Sequence, residues 1–217
     1  MADKPILFSA PMIRALLDRT KTQTRRALPT SHPKFPQLTQ IRTDVLTLLP
    51  NDPEAWYWDG VYENVGASLR IRYAAGDRLW VREAWSAIMT GGWTIADARS
   101  GLFPTKIVYR ADGHAHEYSD GWWPSIHMPR EFSRLTLTVT DVRIQRLQDI
   151  SRGDAMAEGC PFANMRDGPD PRAWYADLWD TINGPGAWGK NPWVAAYTFS
   201  VQHCNIDRLK APPKGVE

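Results

Sequence analysis

The stretch RLTLTVTDVRIQRLQDISRGDAMAEG, residues 134–159, holds the clearest alternation in the chain. Leu135, Leu137 and Val139 share one face of a strand, and Val142 and Ile144 continue on the other parity, so a one-residue slip is predicted near Thr140–Asp141. A short helix follows directly. Ile150 precedes its cap, Ser151 occupies the cap, Asp154 stands three residues on, and Gly159 terminates it.

Working outward, WVAAYTFSV alternates and closes the chain as a strand, after a helix that starts at Asp170-Pro171, aligns Trp174, Leu178 and Ile182, and stops at Asn183-Gly184-Pro185. Upstream, Ile6–Phe8 reads as a strand. Ser9 or Ala10 then caps a helix with Pro11 in its first turn and Met12, Ile13, Leu16 and Leu17 on one face. That helix fails near Arg19–Thr20, because Thr20, Thr22 and Thr24 are β-branched and closely spaced. The turn AAGD separates two candidate strands, Leu69–Tyr73 and Arg78–Trp85, and TKIVYR is a further strand. Residues 28–68 hold five prolines and no sustained period, and 86–130 is similarly irregular, so both read as long insertions over the surface. Strands outnumber helices and no repeated βαβ pattern occurs. The expected fold is α+β, a small mixed β-barrel with a few peripheral helices, spanning 1–217 as one domain with insertions at about 28–68 and 86–130.

Composition narrows the function classes. A hydrophobic content of 43% over 217 residues supports a real core. A net charge of +2 is too small for a protein that coats nucleic acid by bulk electrostatics. The charge is uneven: residues 1–30 carry six Lys/Arg against two Asp, while 141–180 carry eight acids against five Arg, so a basic and an acidic segment can face one another. Cys160 and Cys204 fit no metal or redox spacing, nothing at the N-terminus resembles a signal peptide, and no apolar run spans a bilayer. A cytoplasmic protein without a membrane segment is expected.

At positions 19–26 stands RTKTQTRR. The apolar helix followed by Lys21, Thr24 and Arg26 resembles the G-x-K-x-x-T-x-R signature of the ASCH domain family, within the PUA-like superfamily. Gly76-Asp77-Arg78-Leu79 resembles that family's turn and strand, and Asp154–Gly159 its A-x-x-E-G helix end. WPSIHMPR, residues 133–151 and WDTINGPGAW with the following NPW are similar to phage- and prophage-encoded members. The likeness covers most of 5–26, 70–85 and 122–200. Arg19 stands where the signature has glycine; if a positive φ is needed there, Arg19 bears its cost.

The resemblance implies a PUA-like β-barrel and, from the small bacterial members, hydrolysis of N4-acetylcytidine to cytidine and acetate without a metal or other cofactor. Carried over by motif, the catalytic residues are Lys21, Thr24 and Glu158. Chemically, Thr24 attacks the acyl carbon while Lys21, its pKa depressed by burial or by Arg25 and Arg26, takes the proton. The odd spacing of Lys21 and Thr24 puts them on opposite faces of a regular strand, and they converge only in a helical turn or tight loop. Glu158 closes a helix, where the macrodipole disfavours an anion, so it is either exposed or compensated by a lysine.

Arg25, Arg26, Trp80, Trp123, His127 and Arg130 are candidate substrate contacts, and the tryptophans of the irregular regions, Trp56, Trp58, Trp93, Trp122 and Trp123, are either a lid or core. His114-Ala115-His116-Glu117 offers ligands without a further cluster to complete a metal site, and Cys160 reads as a small buried residue at a helix exit. A small nucleoside or nucleotide is the expected substrate. The competing classes are a non-catalytic module binding single-stranded RNA, with Lys21, Arg25, Arg26, Arg130 and Arg134 on phosphates, and a ribonuclease in the same basic cleft.

Overall fold

The computed structural model describes residues 2–28, 46–49, 52–58, 67–88, 94–100, 106–113, 121–162 and 168–209, with the backbone alone at 46–49, 52–58 and 67–70. In chain order the elements are β1 (Asp3–Leu7), α1 (Ala10–Leu17), β2 (Gln23–Ala27), β3 (Leu46–Leu49), β4 (Asp52–Trp58), β5 (Ala67–Arg70), β6 (Arg78–Arg82), β7 (Trp85–Ile88), α2 (Ile95–Ser100), β8 (Lys106–Tyr109), β9 (Thr136–Arg146), α3 (Arg152–Ala157), α4 (Pro171–Asn183) and β10 (Trp193–Gln202). Short 3-10 turns join several of them. The fold is α+β, and the described strands form open sheets rather than a closed barrel.

The chain packs as two compact units. One comprises Thr20–Asp77 and Val139–Ser200, the other Ala2–Arg19, Arg78–Thr138 and the chain from Val201. In the second unit β1 runs parallel to β6, with Ile6 opposite Val81, and β6 runs antiparallel to the start of β9, with Leu79 opposite Leu137. β7 and β8 form an antiparallel pair, with Trp85 opposite Tyr109. Trp85, Ala87, Ala98 and Met128 are its buried apolar cluster, with Ile95, Ile107, Tyr109, Trp123 and Phe132 packed on them. In the first unit β10 neighbours β9 and pairs antiparallel with β2, placing Tyr197 opposite Thr24 and Ala195 opposite Arg26. β3, β4 and β5 make a separate antiparallel sheet. The first unit's buried cluster joins Leu147, Ile150 and Ala155 to Tyr175 and Trp179 of α4 and to Val194 of β10.

The long strand and its helix form as the sequence leads one to expect. β9 buries Leu137 and Val139, then exposes Thr140 and Asp141 in succession, which is where the alternation changes parity. Ser151 accepts from the Asp154 amide while Asp154 accepts from the Ser151 amide, a reciprocal cap, and Gly159 leaves the helix at φ +96°.

Other expectations are corrected. The 28–68 region is not simply irregular, since it holds β3, β4 and β5; Pro53 sits near the start of β4, and the consecutive Ala55-Trp56-Tyr57-Trp58 hides any alternation. The strand expected at Leu69–Tyr73 is shifted to Ala67–Arg70. The strand expected over Arg78–Trp85 breaks at Glu83, whose buried carboxylate pairs with Arg134, and resumes as β7. The 86–130 region contains α2 as well as β8. Ser9 is the N-cap residue of α1 but its side chain makes no capping bond. On α4 the buried positions are Pro171, Tyr175 and Trp179, one residue round from the expected stripe, and Ile182 is exposed.

Candidate active site

The first unit gathers its ionisable side chains by two simple periods. From Lys21 the chain runs extended, so Lys21, Gln23 and Arg25 share one face at i, i+2 and i+4. On α3, Asp154 and Glu158 are one turn apart at i and i+4. The two rows meet because main-chain bonds dock the segment first. The Thr22 amide donates to the Ala157 carbonyl at 2.8 Å, the Phe199 amide donates to the Thr22 carbonyl at 2.9 Å, and Lys21 and Glu158 form an antiparallel bridge. An otherwise orphaned carbonyl at the end of α3 is thereby satisfied.

Lys21 Nζ donates to Glu158 Oε2 at 2.7 Å and to the Glu158 carbonyl at 2.9 Å, across 137 positions in sequence. Arg25 Nη1 donates to Glu158 Oε1 at 3.0 Å and to Gln23 Oε1 at 2.6 Å. Its Nη2 lies 3.2 Å from Asp154 Oδ2, within ion-pairing distance though outside hydrogen-bond geometry. Gln23 Nε2 donates to Asp154 Oδ1 at 3.1 Å and to Thr198 Oγ1 at 3.2 Å, and Arg143 donates to Asp154 from the exposed side at 2.9 Å. Tyr175 lies beneath Arg25, 5.9 Å from ring centroid to guanidinium, and its hydroxyl interacts with Glu158. Lys21, Arg25 and Glu158 are 1%, 4% and 2% exposed, so these are buried charges held by one another.

The environment shifts the proton affinities in consistent directions. Burial pulls the Lys21 ammonium below its ordinary pKa, Glu158 opposes that, and Arg26 and Arg25 reinforce it. Burial also pushes the Tyr175 hydroxyl well up, and Glu158 adds to it, so the tyrosine stays a donor. For Asp154, burial works against the charged form, but hydrogen bonds from Arg143, Gln23 and Ser151 and the charge of Arg25 outweigh it and hold the carboxyl at about 2. Arg26 is half-buried on the other parity of β2, and desolvation lowers its pKa among Tyr73, Glu158 and Tyr175.

Of the residues singled out by motif, Lys21 and Glu158 meet, Arg25 joins them, and Arg26 lies within electrostatic reach of Glu158. Glu158 is compensated rather than exposed. Thr24 is buried on β2, and the hydrogen bond expected between it and Lys21 is not formed: the extended backbone puts residues 21 and 24 on opposite faces, and Lys21 is committed to Glu158.

Four expected substrate contacts belong to the second unit and have structural partners there. Trp123 packs with Trp85 at 6.4 Å between ring centroids, Trp80 lies under Arg82, and exposed His127 stands edge-on to Trp123. Arg130 is paired with Asp3 and Asp207. Trp123 is half-buried against the cluster around Trp85, and Arg130 is held in ion pairs. Trp93 and His114–Glu117 lie outside the described residues, and Trp56 and Trp58 are described as backbone alone.

Gln23, Asp154 and Tyr175 belong to the same network but escape a motif search. The signal for the first two is the pairing of K-x-Q-x-R, period two, with D-x-x-x-E, period four. Compared with known proteins, the chain matches no family model, no curated protein and no solved structure.

Proposed function

We propose that the chain is a metal-independent amidohydrolase that removes the acyl group from N4-acetylcytidine or a related N4-acylated cytosine nucleoside or nucleotide, on a PUA-like β-barrel carrying insertions. The observation that supports this reading most is the buried Lys21, lowered in pKa and held by Glu158, three residues before the buried Thr24. A lysine solvated on a basic loop has neither property. In this mechanism Thr24 Oγ1 attacks the acyl carbon and neutral Lys21 Nζ takes the hydroxyl proton. The lysine passes it to N4 as the C–N bond breaks, and water hydrolyses the threonyl ester to release the carboxylic acid. The Lys21 and Thr24 side chains lie on opposite faces of the extended segment in the free chain, so the attack requires the backbone at 21–24 to leave that form when substrate binds. Glu158 orients the lysine and stabilises it whenever it is protonated.

The arginines weigh against the RNA-binding reading. Lys21 and Arg25 are occupied by Glu158, Arg130 by Asp3 and Asp207, and Arg134 by Glu83 and Asp112, so four of the five cations proposed for phosphates already have carboxylate partners. The deciding experiment incubates the full chain with N4-acetylcytidine, with its 5′-phosphate and with acetylated RNA, each with and without chelator, and follows acetate release. Turnover insensitive to chelator is expected. No turnover on any of the three, together with steeply salt-dependent RNA binding, overturns the reading.

A further inference from the structure

Glu158 and Lys21 are reached by the resemblance; Asp154 is not assigned any part in the chemistry by it. Yet Asp154 is where the network is gathered. It caps α3 through Ser151, receives Gln23 Nε2, pairs with Arg143 from outside and stands 3.2 Å from Arg25 Nη2. Gln23 passes the arrangement on, because its amide donates to Asp154 while its carbonyl accepts from the same Arg25 nitrogen that reaches Glu158. Arg25 is thus shared between two carboxylates, and how it is shared decides how much of Glu158 is left for Lys21.

We propose that Asp154 is a positioning residue for the reaction put forward above: through Gln23 and Arg25 it holds the second cation partly away from Glu158 and so sets how readily Lys21 gives up its proton. The inference rests on that functional reading for its meaning, but the coupling it describes is measurable without turnover. The groups that bear on Lys21 are Glu158 from α3 and Arg25 and Arg26 from β2; those that bear on Asp154 are Arg25 and Gln23 from β2, Arg143 from β9 and Ser151 from its own helix. Tyr175 from α4 faces Glu158. Removing the Asp154 charge leaves Arg25 and Arg143 less neutralised and draws Arg25 onto Glu158. Both effects disfavour the Lys21 ammonium.

The test follows the Lys21 Cε resonance of 13C-lysine-labelled full-length chain from about pH 5 to about pH 11, assigned with Lys21→Arg. Asp154→Asn is expected to move the Lys21 midpoint down by roughly 0.5–1 unit, the effect of one charge relayed through Arg25 and Glu158 rather than by direct contact. Asp154→Glu restores the wild-type midpoint. Where the enzyme turns over, the acidic limb of kcat/KM moves down with it. Ser151→Ala weakens the helix cap and leaves the Lys21 midpoint in place, which separates positioning from simple stability. Should Asp154→Asn fail to fold, Arg143→Gln, whose side chain is 45% exposed, reads the same network with the opposite sign, an upward shift. An unchanged Lys21 midpoint in Asp154→Asn or, if that does not fold, in Arg143→Gln overturns the proposal. A shifted midpoint in a protein with no hydrolase activity retains the coupling and removes the functional reading instead.

Discussion

Replacing Glu158 by Gln isolates the energetic centre of the site. The change keeps shape and removes the carboxylate that faces Lys21 at 2.7 Å and Arg25 at 3.0 Å, both almost wholly buried. Breaking one side of such a pair costs about 3–5 kcal/mol, because the remaining charge stays desolvated. Lysine also sets a ceiling on its own share of that penalty. It can shed its proton instead, at about 1.4 kcal/mol for each pH unit below its ordinary pKa, hence about 5 kcal/mol at pH 7 for an ordinary lysine value of 10.5. The sign of the pH dependence follows. In the variant the folded-state pKa of Lys21 lies still further below its unfolded value, so the unfolded chain binds more protons and stability rises with pH over that interval. Urea unfolding followed by circular dichroism at pH 7 is expected to show a deficit of about 3–5 kcal/mol that shrinks toward pH 10 by up to about 1.4 kcal/mol per unit. The double variant Lys21→Met/Glu158→Gln leaves no unpaired charge at position 21 and is expected to lose less than Glu158→Gln alone. A deficit below about 1 kcal/mol, or one that does not vary with pH, refutes the buried-pair account.

Thr24→Ala is expected to abolish hydrolysis of N4-acetylcytidine while leaving the thermal midpoint within a few degrees, whereas Thr24→Ser retains turnover; full activity in the alanine variant assigns the attack to water. Arg19→Gly is expected to stabilise the chain by about 0.5–1 kcal/mol in urea titration, because Arg19 sits at φ 58° and a side chain there costs more than glycine's added freedom in the unfolded chain; no gain means that Arg19 makes compensating contacts. Asp154, lowered from 3.8 to about 2, contributes about 2 kcal/mol of stability that is complete well above pH 4 and is lost as pH falls through about 2. Asp154→Asn is expected to flatten that part of the acid-unfolding curve, and an unchanged curve counts against the ion-pair network around it.

The fold was legible where one period ran long enough to be unambiguous. β9 and β10 show themselves by alternation, α1 by Pro11 and its apolar face, and α3 by its cap and terminator, down to the reciprocal Ser151–Asp154 bonds and the left-handed Gly159. It was not legible where the pattern was masked by local chemistry. β4 opens with Asp-Pro and continues with four consecutive apolar residues, so neither a helical nor a strand period stands out. The strand from Arg78 looked continuous to Trp85, and nothing local says that Glu83 turns inward to meet Arg134, which is 51 positions away. α4 was placed correctly but its face was not: Trp174, Leu178 and Ile182 form as regular a stripe as Pro171, Tyr175 and Trp179, and only the neighbours supplied by Leu147, Ile150 and Val194 decide which is buried.

The site shows the same division between local and distant information. Local spacing says that Lys21 and Thr24 cannot share a face of a strand, and with β2 extended the lysine turns to Glu158 instead. Only the distant partner row, Asp154 and Glu158 one helical turn apart, explains why Lys21, Gln23 and Arg25 need to be on that face. Two carboxylates spaced by a helical turn are met by three alternate side chains of an extended segment, and the middle one, Gln23, is neutral. A cation at position 23 would crowd a third buried charge between Lys21 and Arg25, whereas the amide can donate to Asp154 and accept from Arg25 at once. Gln23→Lys is therefore expected to be more damaging than Gln23→Leu, although lysine retains a donor to Asp154. The urea midpoints of the two variants decide it, and a more stable lysine variant would show that the cluster has anionic capacity to spare, contrary to the charge balance argued here.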